Sequence, residues 1–395
     1  MRASIRGGFT LTLVTSMALG PMVLFSLAAL GPVIVSEFRL SRTQFGALSS
    51  GAFFVAMSVS VASGRFVDKL GGRRALFVLS AVSGISMLLV ASGSSYASLV
   101  VAVAFSGFAI SLGNPVTNHL ISLYSPIGRR GIIVGVKQSG VPLSQLLVGI
   151  VAPLVALAVN WRLAVGVLCV LPVLNMLLSF LYVPSKPPRP PVDDGNAPCR
   201  ATLPVDVWWL MAYSLLMGAS VQATNTYLPL FGHEQLGFEV AAAGLSITVA
   251  GAVGLVARVA WGGYSDRLHA PHVLLVLLAL GASCGPFSLL MVYYTDWRPF
   301  FWMGVVLHGG AAIAATAVAA VALVRTVDSP SIGRASGILA LGQFAGFSIG
   351  PLAFGYLVDL RSSYIAAWVC AALLYGAAAG TALMWMRRRP HPSRV

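Results

Sequence analysis

Gly64-Arg65-Phe66-Val67-Asp68-Lys69-Leu70-Gly71-Gly72-Arg73-Arg74 joins two long apolar runs, residues 44–66 and 75–93. Each run is near the ~20 residues needed to cross a hydrocarbon core of about 30 Å. The stretch between them is short, basic and rich in glycine, so it reads as a tight connection on one face of a bilayer. The whole chain agrees. Of its 395 residues 57% are hydrophobic and 9% charged, and its mean hydropathy is +0.87. A soluble domain averages near 25% charged residues, so this chain lacks the charge to cover a soluble surface. Soluble enzymes, nucleic-acid binders and disordered scaffolds are excluded, and a polytopic membrane protein remains.

Outward from that connection, apolar runs recur at 9–36, 96–124, 131–158, 162–183, 205–231, 240–263, 272–294, 299–324, 335–358 and 363–386. The expected architecture is therefore all-α, with twelve membrane spans. Continuous runs of this length do not fit an outer-membrane barrel, whose signal is weak alternation in short segments. The first run follows Arg2 and Arg6 like a signal peptide, but it is too long for a cleaved apolar region and reads as the first span. Between the sixth and seventh spans, Pro184 to Pro198 is dense in proline and charge and cannot form a packed element. It marks a cytosolic linker, 184–204, between an N-terminal half, 1–183, and a C-terminal half, 205–395.

Charge fixes the orientation. On this placement the outer loops hold Arg39, Arg42, Arg162, Arg298 and Arg361, and Lys137 and Arg258 fall inside spans. All other Lys and Arg lie on the side of both termini, which the positive-inside rule makes the cytosol. A bacterial inner membrane is the expected location. The net charge of +14 thus reports topology rather than a nucleic-acid partner. Cys169, Cys284 and Cys370 sit in separate spans and Cys199 in the linker, so neither a disulfide framework nor a metal site is suggested, and no cofactor is expected.

The halves repeat. Gly262-Gly263-Tyr264-Ser265-Asp266-Arg267 follows the eighth span as Gly64 to Lys69 follows the second. Arg130 and Gln138 around the fifth span are echoed by Arg334 and Gln343 around the eleventh. Two echoes in order argue for a duplicated six-helix unit.

The stretch from Gly64 to Arg74 resembles the signature loop of the major facilitator superfamily: Gly, three residues, Asp, a base, one residue, Gly, then basic positions. With the degenerate copy at Gly262, the resemblance covers the whole chain. It implies two pseudo-symmetric six-helix bundles that rock by alternating access, working as a monomer in the lipid bilayer. It also implies gating roles for Gly64, Asp68, Lys69, Gly71, Arg73 and Arg74 and for Gly262, Asp266 and Arg267, with Asp68 bracing the opposite half. A carboxylate near a helix N-terminus gains from the helix dipole, and glycine permits a sharp turn and close approach. Gly72 stands where the family often carries a base. Val103 occupies the slot, four residues before Gly107, where many proton-coupled members carry Arg. Gly140-Val141-Pro142-Leu143-Ser144-Gln145 lacks the paired glycines of the antiporter signature.

The resemblance places spans 1, 4, 7 and 10 around the substrate cavity. Span 4 carries Ser111, Asn114, Asn118 and Ser122 at helical spacing, with His119 beside them and Pro115 as a kink. Span 7 carries Ser214, Gly218, Gln222 and Asn225, and span 10 carries His308. These are candidates for a cavity lining; for any one of them the other reading is an interhelical hydrogen bond that holds the bundle. A cation at the centre of a span costs ~2.5–3.5 kcal/mol on insertion scales, which draws attention to Lys137 and Arg258. Both sit roughly 8–9 Å from the cytosolic ends of their helices at 1.5 Å per residue. All eleven acids fall in loops or at helix ends, so none is at hand to neutralise these cations.

Two internal cations without an acid point to an anion that completes the site from outside, in the first place a carboxylate. Snorkelling to the headgroups is the alternative for both cations, and a pairing with Asp266 is a further one for Arg258. The coupling species would be a proton, with His119 and His308 as the titratable candidates, or a counter-anion. The sequence thus reads first as a secondary transporter of a small organic anion. An efflux pump for amphipathic or cationic compounds lacks its acidic cavity residue. A transport-inactive receptor on the same fold lacks a signalling domain. No nucleotide loop, metal cluster or nucleophile–base motif suggests an enzyme.

Overall fold

The structure is a computed structural model that describes residues 2–126, 130–185, 203–267, 271–327 and 332–388, without the side chains of residues 2–6, 130, 131, 266, 267, 271 and 333. Among the described residues, eleven helices are long and apolar enough to cross a membrane. In chain order these are α1 (Gly7–Ala29), α2 (Arg42–Leu70), α3 (Gly72–Ala91), α4 (Tyr96–Tyr124), α5 (Ile132–Ala158), α6 (Trp161–Tyr182), α8 (Val240–Ser265), α9 (His272–Thr295), α10 (Pro299–Thr326), α11 (Arg334–Arg361) and α12 (Ile365–Arg388). Between α6 and α8 stands α7 (Val205–Leu236), 32 residues long, whose Asp206, Gln222, Asn225 and Glu234 dilute its apolar character.

Local sequence explains the ends. Ser41 starts α2 through a reciprocal capping box with Gln44, Ser95 does the same for α4 with Ser98, and the Asn160 side chain accepts from the Leu163 N–H at the start of α6. Gly71 separates α2 from α3 at φ +80°, a conformation that a side chain rarely tolerates. Two departures from the expected spans have equally local causes. The first run ends at Ala29, and a separate short helix, Gly31–Phe38, takes up its last residues with Pro32 in its first turn. The fifth run breaks at Ser139 into Arg130–Gln138 and Gly140–Ala158.

The chain forms two compact units. One comprises Met1–Asn196 with Thr226–Gly251, the other Ala197–Asn225 with Ala252–Val395. One cut thus falls within 184–204, where the sequence repeat divides, and the other two fall within α7 and α8.

In the first unit, α4 packs on α1, α2 and α3, and α1 also packs on α5 and α6. Its apolar centre includes Leu13, Leu76, Leu79, Leu112 and Val116, all fully buried. Polar pins cross it. Asn175 on α6 donates to Ser80 and accepts from Thr15 on α1 at 2.6 Å. Arg42 grips Glu234 with two prongs, at 2.7 and 3.1 Å, and the Tyr227 hydroxyl donates to the Arg42 carbonyl. Glu37 accepts from Trp161 and pairs with Arg162 at 2.7 Å.

In the second unit, α9 packs on α12 and on α10, around fully buried Leu274, Ala279, Ala315 and Val318. Gly342, Gly346 and Gly350 lie on one face of α11, against the backbone of α7. A Cβ at Gly346 would stand 2.1 Å from the Leu215 carbonyl oxygen, and one at Gly350 2.0 Å from that of Ala219. Small residues at four-residue spacing let two helix backbones approach this closely. Helix α10 widens into a π-helical turn at His308–Ile313.

Candidate functional site

Lys137 lies in the last turn of the first segment of α5, two residues before the break at Ser139. The second segment starts with Gly140, where a Cβ would stand 2.1 Å from the Val14 carbonyl oxygen on α1. Lys137 is fully buried. Its ammonium donates to Asn118 Oδ1 at 2.6 Å, Thr117 Oγ1 at 2.7 Å and Asn114 Oδ1 at 3.2 Å, all on α4. Gln138 Nε2 also donates to Asn114 Oδ1, at 3.2 Å. Every one of these acceptors is neutral. A buried charge is costly unless it is both hydrogen-bonded and countered. The hydrogen bonds are in place, and no carboxylate touches this ammonium among the described residues. The side chain runs inward to α4 instead of out to a surface.

Span 4's polar stripe divides in the structure. Asn114 and Asn118 meet Lys137, and Thr117 joins them between two of the quoted positions. Ser111 instead shares a 2.8 Å hydrogen bond with Ser63 on α2, and Ser122 bonds back to the His119 carbonyl. His119 leaves the cluster: its Nδ1 lies 3.4 Å from Asp68 Oδ1. Asp68 therefore has a partner within its own unit. Thr117 was missed because a threonine in an apolar helix commonly bonds its own backbone; this one does so too, donating to Gly113 O at 2.6 Å. The signal that would have found it is the i, i+3, i+4 set of Asn114, Thr117 and Asn118, one face of one helix.

Around the signature loop, Asp68, Lys69 and Arg74 are exposed. The Arg73 guanidinium stacks over the Phe180 ring, 4.6 Å from its centre. Gly71 makes the turn. At Gly72 a Cβ would stand 2.4 Å from Leu120 Cδ2, so a side chain there would have to displace Leu120. Gly64 and Gly262 lie inside α2 and α8 with open space where a Cβ would go, so neither makes a turn or a close helix contact. The side chains of Asp266 and Arg267 lie outside the described residues, and so does any pairing of Arg258 with Asp266.

The second unit gathers a different polar group. His308 is buried, its Nε2 lies 2.9 Å from Asn225 Oδ1, and its Nδ1 has no hydrogen-bond partner. Gln222 is buried on α7, three residues from Asn225. Gly218 instead serves packing, since a Cβ there would stand 2.9 Å from the Gln343 carbonyl oxygen. A π-helical turn leaves carbonyls out of the regular ladder, and α8 takes up two of them. Trp261 Nε1 donates to Gly310 O at 3.0 Å, and Arg258 donates to Ile313 O at 3.4 Å and Thr316 Oγ1 at 3.2 Å. Arg258 and Lys137 belong to different units.

Comparison with known proteins gives the family. Residues 11–327 match the family model described as the Major Facilitator Superfamily. The hexuronate transporter of Bacillus subtilis is 22% identical over 379 residues, covering 88% of this chain and 86% of its own. A probable sulfoacetate transporter of Cupriavidus necator is 23% identical, covering 90% and 87%, and a probable nitrate/nitrite transporter of Mycobacterium tuberculosis is 26% identical, covering 84% of each chain. Among solved structures, a bacterial homologue of the human lysosomal transporter Spinster, in an inward-facing and occupied conformation, superposes with a TM-score of 0.70 at 16% identity, over 98% of this chain and 99% of that one. Eleven apolar helices, the loop from Gly64 to Arg74, a family match over most of the chain and relatives that are transporters rather than enzymes leave one reading: the chain belongs to the Major Facilitator Superfamily of multi-pass membrane transporters.

Proposed function

We propose that this transporter carries a small organic anion, in the first place a carboxylate, and that Lys137 supplies the positive charge for it. The observation that carries this reading is a fully buried ammonium held by three neutral oxygens, with no carboxylate touching it among the described residues. A buried cation within a span is costly to insert, and an incoming anion would supply the missing counter-charge. Relatives named for hexuronate, sulfoacetate and nitrate or nitrite, all anions, support the same class. In this reading residues 1–183 and 205–395 act as the two halves of an alternating-access carrier in a bacterial inner membrane. Both termini are cytosolic, and a proton or a counter-anion is the coupling species.

The test is counterflow in proteoliposomes. Vesicles loaded with one of a panel of mono- and dicarboxylates should accumulate the same labelled acid from outside, and Lys137→Ala should abolish that accumulation. Counterflow of hydrophobic cations that is indifferent to Lys137→Ala, with none for any acid, would overturn the anion reading in favour of an efflux pump.

A further inference from the structure

The Lys137 cluster constrains more than a charge. An ammonium has three donors and no acceptor, so the side-chain atom that Asn114 and Asn118 each turn toward it must be the oxygen. The amide group is planar, and its NH2 lies on the other side of the same carbon, so both NH2 groups are directed away from Nζ. Asn114 is fixed further by Gln138, which donates to the same oxygen. The single Thr117 hydroxyl donor is taken by the Gly113 carbonyl, while its oxygen accepts from Lys137.

What is left over is a pair of amide NH2 groups one helical turn apart on α4, with no hydrogen-bond partner among the described residues. Asn114 is half-buried and Asn118 exposed, so these donors are within reach of a ligand although Nζ itself is fully buried. Each amide is polarised by the ammonium on its oxygen, which strengthens its N–H groups as donors. We propose that the anion's oxygens are gripped by the NH2 groups of Asn114 and Asn118, with Lys137 acting as the positioning residue that aims both amides and supplies charge from behind them. This rests on the anion reading above and gives it a ligand chemistry: an acceptor-only oxyanion head, such as a carboxylate, sulfonate or nitrate. Ammonium groups, which only donate, find no such match. Asn118 and Asn114 are then the specificity-determining contacts, and direct contact with Nζ is not needed.

The two arrangements respond oppositely to removal of an amide. Asn118→Ala takes away an NH2 but frees an ammonium hydrogen and uncovers it. Asn118→Asp keeps an oxygen on Nζ, now charge-assisted, but removes the NH2 and cancels the positive charge. The experiment measures binding of glucuronate, sulfoacetate and nitrate to the purified full-length protein by titration calorimetry, with the unliganded melting temperature as the check on folding. We expect Asn118→Ala and Asn114→Ala to weaken the anion that wild type binds by tenfold or more. Asn118→Asp should melt at or above the wild-type temperature while losing anion binding, a split that a merely structural amide would not produce. Alanine variants that bind as tightly as wild type or tighter, while Lys137→Met binds nothing, would overturn the amide grip and leave direct Lys137 contact standing. If wild type binds none of the three anions, the anion reading itself fails and this inference with it.

Discussion

Asp68 Oδ1 lies 3.4 Å from His119 Nδ1, and His119 directly follows Asn118, whose side-chain oxygen holds the Lys137 ammonium at 2.6 Å. The signature loop and the buried cation thus meet on consecutive residues of α4, through side chains that leave the helix in different directions. If Asp68 gates, as its place in the signature loop implies, this contact is a physical route from the loop to the helix that presents the amides.

That route separates binding from turnover. Asp68 is exposed over 72% of its side chain, and an exposed ion pair is worth about 1 kcal/mol at most. Asp68→Asn should therefore leave the melting temperature and anion affinity near wild type while slowing counterflow at least tenfold. Unchanged counterflow would remove Asp68 from the gate.

The contact between α11 and α7 is a steric prediction. Gly346→Ala would place a methyl 2.1 Å from the Leu215 carbonyl oxygen, so the helices must separate. Overpacking of this kind costs about 1–3 kcal/mol. Gly376, on α12, has nothing within 4 Å of a Cβ, and alanine there should be neutral or stabilise by up to about 1 kcal/mol through helix propensity. The melting temperature should fall for Gly346→Ala and hold or rise for Gly376→Ala; equal effects would contradict the packing described for α11.

Glu37 sets an acid limit. Burial alone would raise its carboxyl, but hydrogen bonds from Arg162 and Trp161 and the Arg162 charge outweigh that and hold its pKa below the ordinary 4.5. A carboxyl depressed by folding contributes stability above its unfolded value and loses it as pH falls through the folded one. Wild type should therefore lose stability on acidification below about pH 4.5, and Glu37→Gln should flatten that part of the profile. An identical slope in the variant would assign the acid sensitivity elsewhere.

Much of this was legible in the residues, because membrane folds write their architecture in long apolar runs. Their number, the echo of Asp68 at Asp266 and the turn at Gly71 need no tertiary knowledge. Asn114, Asn118 and Lys137 stood out for a related reason, since polar and charged groups are conspicuous against an apolar helix. What stayed hidden depends on side-chain direction. Ser111, Asn114, Asn118 and Ser122 read as one stripe with His119 beside it, yet Ser111 meets Ser63, the two asparagines meet Lys137 and His119 meets Asp68. Asn225 was read as a cavity residue, and its contact with His308 depends on how α7 and α10 are placed in space. The π-helical turn at His308–Ile313 has only Gly309 and Gly310 as a local hint, and the break at Ser139 has none beyond Gly140 and Pro142. The glycine face of α11 went unread, because its four-residue spacing gains meaning only from the α7 backbone that packs against it.

The proposed role of Lys137 is to meet an anion. Its most direct test is thermal stabilisation of the purified protein across mono- and dicarboxylates, with wild type and Lys137→Ala side by side. A ligand at 100 times its dissociation constant adds about 2.7 kcal/mol of apparent stability. At least one organic acid should raise the wild-type melting temperature by several degrees and leave Lys137→Ala unmoved. Equal stabilisation of both proteins, or stabilisation of wild type only by hydrophobic cations, would contradict that role.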